Sequence, residues 1–296
     1  MTERNNCRRI MVNENNGNQL IIGTDEAGYG PNLGPLVISA TVWESPTDNL
    51  LPLLAQLKAH KIHIGDSKKL YHGGGSLTAL EYGILIPLRY LGKSLSPLNA
   101  DETVLTEQTS VFTKILSENK IRLCDICSRV IEPEEFNREL DRFDSKGTLL
   151  SNATLTLIAE ILNARHTTLP VLIFCDKHGG RNHYLDLLVK YFPDSWVQVI
   201  QESQAGSVYR LTYEKQLLEF RFLAKGESHV PVALASMNSK YLRERAMIRF
   251  NEFWREKIPD LKPTAGYPED AQRFKKDIAA VQKELGIKNE TLWRKR

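Results

Sequence analysis

Residues 23–37 read GTDEAGYGPNLGPLV, and no other stretch says as much about the fold and chemistry of the chain. Asp25 and Glu26 come where a β-branched run ends, and glycines and prolines follow directly. Glycine lets backbone N–H groups approach a ligand closely, and carboxylates are hard oxygen ligands for Mg²⁺ or Mn²⁺. The stretch therefore predicts a strand that ends in a candidate metal site. Taken alone, the two acids also fit a solvated acidic turn.

The bulk composition is that of a globular protein, with 42% hydrophobic and 25% charged residues among 296. A net charge of +3 permits a polyanionic partner without requiring one. The four cysteines follow no disulfide-framework spacing, which predicts a reducing compartment, and we expect a cytoplasmic protein. Cys124 and Cys127 form a CxxC, but no second pair completes a zinc site. No run approaches the ~18 apolar residues of a membrane span, so no membrane partner is expected.

Apolar runs on both sides of the glycine-rich loop predict strands over residues 19–24 and 35–43, which can pair as a hairpin. The apolar run 170–175 leads into Asp176 and predicts a buried parallel strand with this acid at its carboxyl end, where open α/β sheets bind ligands. Further strands are predicted over residues 121–130, 196–202, 207–214 and 217–224, and helices over residues 50–58, 100–119, 133–143, 149–164, 183–191, 230–257 and 266–283.

Four acids lie at predicted strand ends or loop edges, namely Asp25, Glu26, Asp176 and Glu227. A few carboxylates, with water and phosphate oxygens, can hold two divalent ions about 4 Å apart. Such a pair activates a water molecule and stabilises the leaving 3′-oxygen of a phosphodiester. The four acids are therefore candidate ligands of a two-metal phosphodiesterase site.

With these motifs in place, the sequence resembles ribonuclease HII. Residues 25–35 resemble the DEAGRGP-x-x-GP signature of that family, and residues 66–70 match its DSKKL motif. The other resembling segments, in the family's order, are residues 131–137, 151–155, 172–176, 225–227, 233–247 and 265–268. The resemblance runs from about residue 21 to the C terminus.

The resemblance implies an α/β, RNase H-like fold, with a mixed central sheet flanked by helices and a C-terminal helical lobe. It implies a metal-dependent endonuclease that hydrolyses the RNA strand of RNA–DNA hybrids or cuts 5′ of ribonucleotides embedded in DNA. Carried over by motif, Asp25, Glu26, Asp176 and Glu227 would be catalytic and would bind two Mg²⁺ or Mn²⁺ ions. The implied partner is a hybrid or a ribonucleotide-containing duplex, with no obligate protein partner.

The same resemblance implies three sets of substrate contacts. The backbone of Gly28, Tyr29 and Gly30 would contact the ribose 2′-OH, the group by which RNA is told from DNA. Residues Ser67, Lys68 and Lys69 would hold backbone phosphates, although two lysines in a loop also fit a solvated turn. Tyr267 would stack at the junction between ribonucleotide and deoxynucleotide.

Several positions depart from the ribonuclease HII pattern. Tyr29 stands where the family has Arg, and Glu227 replaces Asp, as in ribonuclease HIII. Because only 24 residues precede Asp25, we expect the N-terminal domain of ribonuclease HIII to be absent. We expect a disordered tail over residues 1–18 and a single domain over residues 19–296, with insertions near residues 71–120 and 178–222. The second insertion is expected to cover or reshape the cleft.

Two other functions stay open from the sequence. A relative that binds nucleic acid without cleaving it would follow if Tyr29 and the insertions had abolished turnover. A nuclease of the same fold could instead act on another nucleic acid. Glu244 is the rival for a ligand position, but it lies between Arg243 and Arg245, which favours an ion pair. His178 and His183 follow Asp176 and are candidates for proton transfer.

Overall fold

The computed structural model describes residues 17–71, 75–165 and 167–295, and it is built on one seven-stranded sheet in the order β3-β2-β1-β4-β7-β6-β5. The strands are β1 (Gln19–Ala27), β2 (Leu36–Ser45), β3 (Arg122–Ile131), β4 (Val171–Asp176), β5 (Gln198–Glu202), β6 (Gly206–Tyr213) and β7 (Gln216–Leu223). Of the tail predicted over residues 1–18, all but residues 17 and 18 lies outside the described residues. All seven strands agree with predicted ones to within a few residues.

The sheet is mixed, and its parallel part lies at its centre. Strand β4 runs parallel to both β1 and β7, while β1 pairs with β2 in an antiparallel ladder, as the predicted hairpin requires. Strands β3, β6 and β5 continue the sheet outward by antiparallel pairing. Because parallel strands are covered on both faces, β4 is buried along its whole apolar run.

The helices are α1 (Leu51–Ala59), α2 (Ser67–Leu70), α3 (Thr78–Tyr90), α4 (Glu102–Glu118), α5 (Pro133–Phe143), α6 (Lys146–Asn163), α7 (Leu185–Tyr191), α8 (Val230–Lys257), α9 (Pro268–Glu284) and α10 (Asn289–Leu292). Side chains cap two of the predicted helices, since the Asp101 carboxylate accepts from Thr103 and Val104 N–H and Ser145 Oγ accepts from Thr148 N–H. Helix α3 has no predicted counterpart. Its Gly83 and Pro87 are poor helix formers, but both are buried, so tertiary packing outweighs their local preference.

Helices cover both faces of the sheet. One apolar cluster packs α6 and α7 against it, and the other packs α1, α3, α4 and the first half of α8 against the opposite face. Helix α8 approaches β1 so closely that a Cβ at Gly23 would collide with the backbone of Pro231 and Val232. The predicted α/β class, with a mixed central sheet flanked by helices, is confirmed.

The C-terminal helices form the predicted helical lobe. Trp254 of α8 and Phe274 and Ile278 of α9 are buried in a third apolar cluster. Leu33, from the loop after β1, belongs to the same cluster, so the lobe packs directly on the glycine-rich loop. This contact brings the C-terminal part of the chain to the carboxyl end of β1.

The segment 178–222 extends the sheet beyond β7. It supplies α7, β5, β6 and most of β7, and its outermost strand, β5, is exposed at every residue. Its strands β6 and β5 lie beyond β7, at the edge of the sheet opposite β3. In the part of the chain that is described, no helix is long and apolar enough to cross a membrane.

Candidate active site

Two adjacent parallel strands bring the first three acids together. The β1–β4 register pairs Thr24 with Cys175, so Asp25 and Asp176 follow side by side at neighbouring strand ends. Strand β1 continues to Ala27, which corrects the prediction that it ends at Thr24. Asp25 and Glu26 therefore lie within the strand, two residues and one residue before its end. Asp25 is buried, and its Oδ1 accepts from the Glu26 N–H at 2.7 Å. Strand pairing thus fixes the backbone positions of these acids.

Glu227 reaches the same place by a short 3-10 turn, Gly226–Ser228, between β7 and α8. The N–H of Gly226 donates to Asp176 Oδ1 at 2.8 Å, which ties this turn to the end of β4. The negative charge of Glu227 acts on Asp25, and it contributes to the raised pKa of that carboxyl. Asp25 therefore lies within electrostatic reach of both Asp176 and Glu227, and Glu26 lies within reach of Asp25 and Asp176.

Burial raises the pKa values of three of these acids, and like charge adds to the rise at Asp25 and Glu26. Burial, followed by repulsion from Asp176 and Glu227, raises the pKa of Asp25 to about 7, although the hydrogen bond from Ser236 opposes the rise. Burial and the charges of Asp25 and Asp176 raise the pKa of Glu26 well above its usual value. Burial also raises the pKa of Asp176, against the effect of Lys68 and of the Gly226 N–H. Negative charge at this site is thus under-compensated by the protein itself.

Hard divalent cations fit this donor set chemically, because clustered carboxylate oxygens are the ligands that Mg²⁺ and Mn²⁺ prefer. A cation bound between them would offset both the burial and the repulsion that raise these pKa values. Among the described residues, no group of three or more His, Cys, Asp or Glu side chains is already arranged around one point as ligands. The site has carboxylate oxygens that suit these cations, but the side chains do not form a complete coordination shell.

The glycine-rich loop next to the acids is supported on its protein-facing side by two arginines. Gly28 has φ +89°, and a side chain there would collide with the Pro35 carbonyl and with the Arg243 side chain. The guanidinium of Arg294 donates to the main-chain carbonyls of Gly28 and Pro31. Gly30 faces open space. The loop backbone is therefore fixed from the protein side and accessible from the other, as the predicted 2′-OH contact requires.

Two tyrosines belong to the predicted substrate set, Tyr29 in this loop and Tyr267 at the start of α9. Tyr29 is half-buried, and burial together with the charge of Glu26 raises its pKa, so its phenol lies close to the acids. Tyr267 is 52% exposed at the start of α9. The carbonyl of Gly266 accepts from Asn32 N–H at 2.8 Å, which fastens the Tyr267 turn to the loop. An exposed ring in this position is free to stack on a base.

The residues of the DSKKL motif take three different positions. Ser67 is buried, and its hydroxyl shares a 3.1 Å hydrogen bond with Ser236 rather than facing solvent. Lys68 is exposed, and its charge lowers the pKa of both Glu26 and Asp176. Lys69 is also exposed, at 4.0 Å from Asp66. The motif therefore presents two ammonium groups, one of them directed at the acids, while its serine connects it to α8.

Helix α8 supplies supporting residues that the sequence reading did not single out. Ser236 donates to the Asp25 carboxylate, and Ser239, one turn further on, donates to the Asp25 main-chain carbonyl at 3.0 Å. Buried Arg243 donates to the Ala265 carbonyl at 2.9 Å. The spacing of Ser236 and Ser239 could have indicated these contacts, because small polar residues three positions apart lie on one face of a helix. Arg294 carried no signal, since its partners lie more than 260 residues away.

The remaining candidates have structural partners. Glu244 accepts from Lys240 at 3.1 Å and from Arg243 at 3.3 Å, which confirms the ion pair predicted for it. His178 is buried, its Nδ1 lies 3.0 Å from Ser151 Oγ, and burial lowers its pKa to about 3, so its ring is neutral at physiological pH. His183 pairs with Glu202 at 2.7 Å. Neither histidine is set up for proton transfer in this arrangement.

The chain is similar in structure to several ribonucleases H. Ribonuclease HII of Archaeoglobus fulgidus, solved in complex with PCNA, is 16% identical, with 94% of each chain covered and a TM-score of 0.45. Ribonuclease H2 from Pyrococcus horikoshii OT3 is 18% identical, with 92% of each chain covered and a TM-score of 0.49. Bst-RNase HIII in complex with Mn²⁺ is 18% identical, with 95% of this chain and 67% of that chain covered and a TM-score of 0.46.

No family profile matches the chain, and no curated protein matches it in sequence. At these identities and TM-scores the similarity lies at the level of the fold. What the chain binds and cleaves depends on its own site.

Proposed function

We propose that this protein is a metal-dependent endoribonuclease of the ribonuclease H type 2 class. Its substrate would be the RNA strand of an RNA–DNA hybrid, or a ribonucleotide embedded in duplex DNA. One observation carries the proposal: adjacent parallel strands place Asp25 and Asp176 side by side, with their pKa values raised by burial and Asp25 further raised by the neighbouring carboxylates. Clustered, under-compensated carboxylates next to an open backbone loop favour a site that takes cations and a polyanion together.

In this proposal Asp25, Glu26, Asp176 and Glu227 would hold two Mg²⁺ or Mn²⁺ ions. When bound, such ions activate a water molecule and stabilise the leaving 3′-oxygen. The protein would contribute orientation. Ser236 and the Gly226 N–H hold the carboxylates of Asp25 and Asp176 in place, since each donates to one of them.

Substrate selection would fall to the loop and its two flanks. The backbone of residues 28–30 would test for a ribose 2′-OH, which only RNA carries. Exposed Tyr267 would stack on the neighbouring base, and Lys68 and Lys69 would meet backbone phosphates. With Tyr29 in place of Arg, this chain lacks one cation that the ribonuclease HII signature carries in the loop.

The test is strand scission with a panel of labelled substrates in Mg²⁺ or Mn²⁺. We expect cleavage of the RNA strand of a hybrid or 5′ of a single embedded ribonucleotide, and none of plain duplex DNA. Asp176→Asn should lose this activity. Asp194→Asn, which removes an exposed acid from the turn before β5, should keep it. Intact hybrid and intact embedded ribonucleotide with both ions would refute the proposal, as would an active Asp176→Asn protein.

A second candidate function is a protein that binds nucleic acid in the same cleft without cleaving it. It is favoured by Tyr29, which stands where the ribonuclease HII signature has Arg. This protein would bind a hybrid in a salt-dependent manner and leave both strands intact with either ion. The same panel separates the two candidates.

A further inference from the structure

A cavity of about 410 Å³ opens next to the acids, and none of the predicted contacts accounts for it. We name it the glycine pocket, and its walls are Tyr29, Gly147 and residues 178–183. Tyr29 connects it to the active site, because the charge of Glu26 acts on the phenol. Its other wall begins two residues after Asp176 at the end of β4. The pocket therefore adjoins the place where a scissile bond would lie.

Three glycines, Gly147, Gly179 and Gly180, leave backbone exposed in its walls. A Cβ on Gly179 would lie 3.4 Å from the Tyr29 hydroxyl, and one on Gly147 would lie 3.8 Å from it, so the phenol spans the gap between the two walls. Gly179 has φ +62°, which a side chain would strain, and a Cβ on Gly180 would meet nothing. Successive glycines in such a bend present N–H groups to an anion.

Charge in the glycine pocket is one-sided. Arg181 lines it and is half-buried, with one terminal nitrogen donating to Thr148 Oγ1 at 2.9 Å. In the described part of the chain no carboxylate lies within ion-pair distance of Arg181, and its Nε–H is buried without a partner. The nearby Glu202 carboxylate is occupied by His183 and the Tyr209 hydroxyl. A half-buried cation without a counter-charge is costly, so the pocket is suited to an anion.

We propose that the glycine pocket is a subsite for one backbone phosphate of the bound nucleic acid, with Arg181 as its charged ligand. The proposal rests on the proposed function for the existence of that substrate. Arg is well suited to the role, because its planar group donates two parallel hydrogen bonds to phosphate oxygens. Phosphate contacts of this kind fix the register of a strand on the protein without reading its sequence. Arg181 would thus position the strand relative to the acids.

The first test measures binding without cleavage. In an Asp176→Asn protein with Mg²⁺ present, a fluorescent hybrid is titrated by anisotropy at several salt concentrations. Adding Arg181→Gln should weaken binding about tenfold and make the slope of log K against log salt shallower by about one, since one phosphate contact is lost. Arg181→Lys should recover part of the affinity, because it restores the charge but not the fork.

A matched control is Arg122→Gln, which removes an exposed arginine paired with Glu44 at the opposite end of the sheet from the acids. Its binding and salt slope should equal those of the parent. Equal losses in Arg181→Gln and Arg122→Gln, or an unchanged affinity in Arg181→Gln, would overturn the subsite. Gly180→Glu gives an independent check, because it adds a repelling charge where the structure has open space, and it should weaken binding at least as much.

Failure of the subsite and failure of the proposed function are distinguishable. If the wild-type protein cleaves a hybrid and Arg181→Gln binds it normally, the function stands and the subsite falls. If the wild-type protein neither binds nor cleaves a hybrid, the proposed function itself fails. Inorganic phosphate provides a probe without substrate, and we expect it to shift the Gly179 and Gly180 amide resonances in the parent but not in Arg181→Gln. Such shifts together with unchanged hybrid binding would assign the pocket to free phosphate and overturn the proposal.

Discussion

Two buried carboxylates in this protein, Glu81 of helix α3 and Asp25 of strand β1, differ in how their charge is compensated. Glu81 of α3 is fully buried, and it accepts hydrogen bonds from Leu98 N–H at 2.5 Å, Asn99 N–H at 2.9 Å and the Tyr241 hydroxyl at 2.6 Å. Asp25 is also buried, and this burial raises its pKa, which the neighbouring carboxylates of Asp176 and Glu227 raise further. Glu81 accepts from three donors, whereas Asp25 accepts from the Glu26 N–H and Ser236 and also has two carboxylates nearby.

The difference separates a structural carboxylate from a functional one. Glu81 joins α3 to α8 and to the loop before α4, so its hydrogen bonds stabilise the fold. At Asp25 the fold leaves negative charge uncompensated, which costs stability and leaves room for a cation. Burial by itself therefore does not identify a functional acid; the supply of donors around it does.

The largest effect is expected where the uncompensated charge is removed. Asp25→Asn should lower cleavage of an RNA–DNA hybrid more than about 100-fold, because a candidate metal ligand is lost. Its free energy of unfolding in EDTA should be equal to or above that of the wild type, since one repelling charge is gone. Initial rates and urea denaturation measure the two quantities. A stable, fully active Asp25→Asn protein would place the catalytic charge elsewhere.

The opposite result is expected at the compensated site. Glu81→Gln should lower the free energy of unfolding by about 2–4 kcal/mol, because an amide NH₂ would face buried N–H donors. Cleavage per folded molecule should change less than about twofold, since Glu81 does not touch the acids at the sheet end. Urea denaturation and specific activity measure these effects. Glu107→Gln, at an exposed position of α4, is the control and should leave both unchanged.

The pH dependence of stability offers a gentler comparison. Because the pKa of Asp25 in the folded protein is about 7 against 3.8 for the free group, the native state binds the proton more tightly between these values. Stability of the metal-free protein should therefore fall as pH rises from about 4 to about 7 and then level off. Denaturation in EDTA across this range measures it. Asp25→Asn should make the curve less steep without removing the slope, because the pKa values of Glu26 and Asp176 are raised as well. An equally steep curve in that variant would contradict the assignment.

The smallest effect is expected one hydrogen bond away from the acid. Ser236 donates to the Asp25 carboxylate and lowers its pKa, so Ser236→Ala should raise that pKa further. Activity at pH 7 should fall by about threefold to tenfold and recover at higher pH. The pH–rate profile measures this shift. Ser239→Ala is the matched control, because Ser239 donates to the main-chain carbonyl of Asp25 and should leave the profile in place.

The sequence predicts the position of the acids at the sheet end but not the burial of Glu81. Asp25, Glu26 and Asp176 follow apolar runs that predict strands. Because parallel strands have their carboxyl ends at the same edge of a sheet, these acids are expected to lie close together. Nothing in the sequence near Glu81 indicates that it is buried, since α3 contains Gly83 and Pro87 and was not predicted as a helix. Its three donors come from residues 17 to 160 positions away, and such partners leave no local pattern.

The supporting contacts of the glycine-rich loop show the same limit. The loop itself was predicted from its glycines and prolines, and the structure extends β1 through Asp25 and Glu26 to Ala27. The arginines beneath the loop, Arg243 and Arg294, could not be assigned from the sequence, because an arginine in a basic segment is usually solvated. Only packing of the C-terminal lobe against Leu33 brings Arg294 to the Gly28 carbonyl.

Local order along the chain determined which segments form strands and helices, and it determined that acids stand at strand ends beside a glycine-rich loop, because hydrophobic period and turn chemistry act over a few residues. Only the tertiary structure decided which charges are compensated. Donors, repelling carboxylates and the unpaired Arg181 of the glycine pocket come from distant parts of the chain, and electrostatic energy depends on distance in space and on burial rather than on position in sequence.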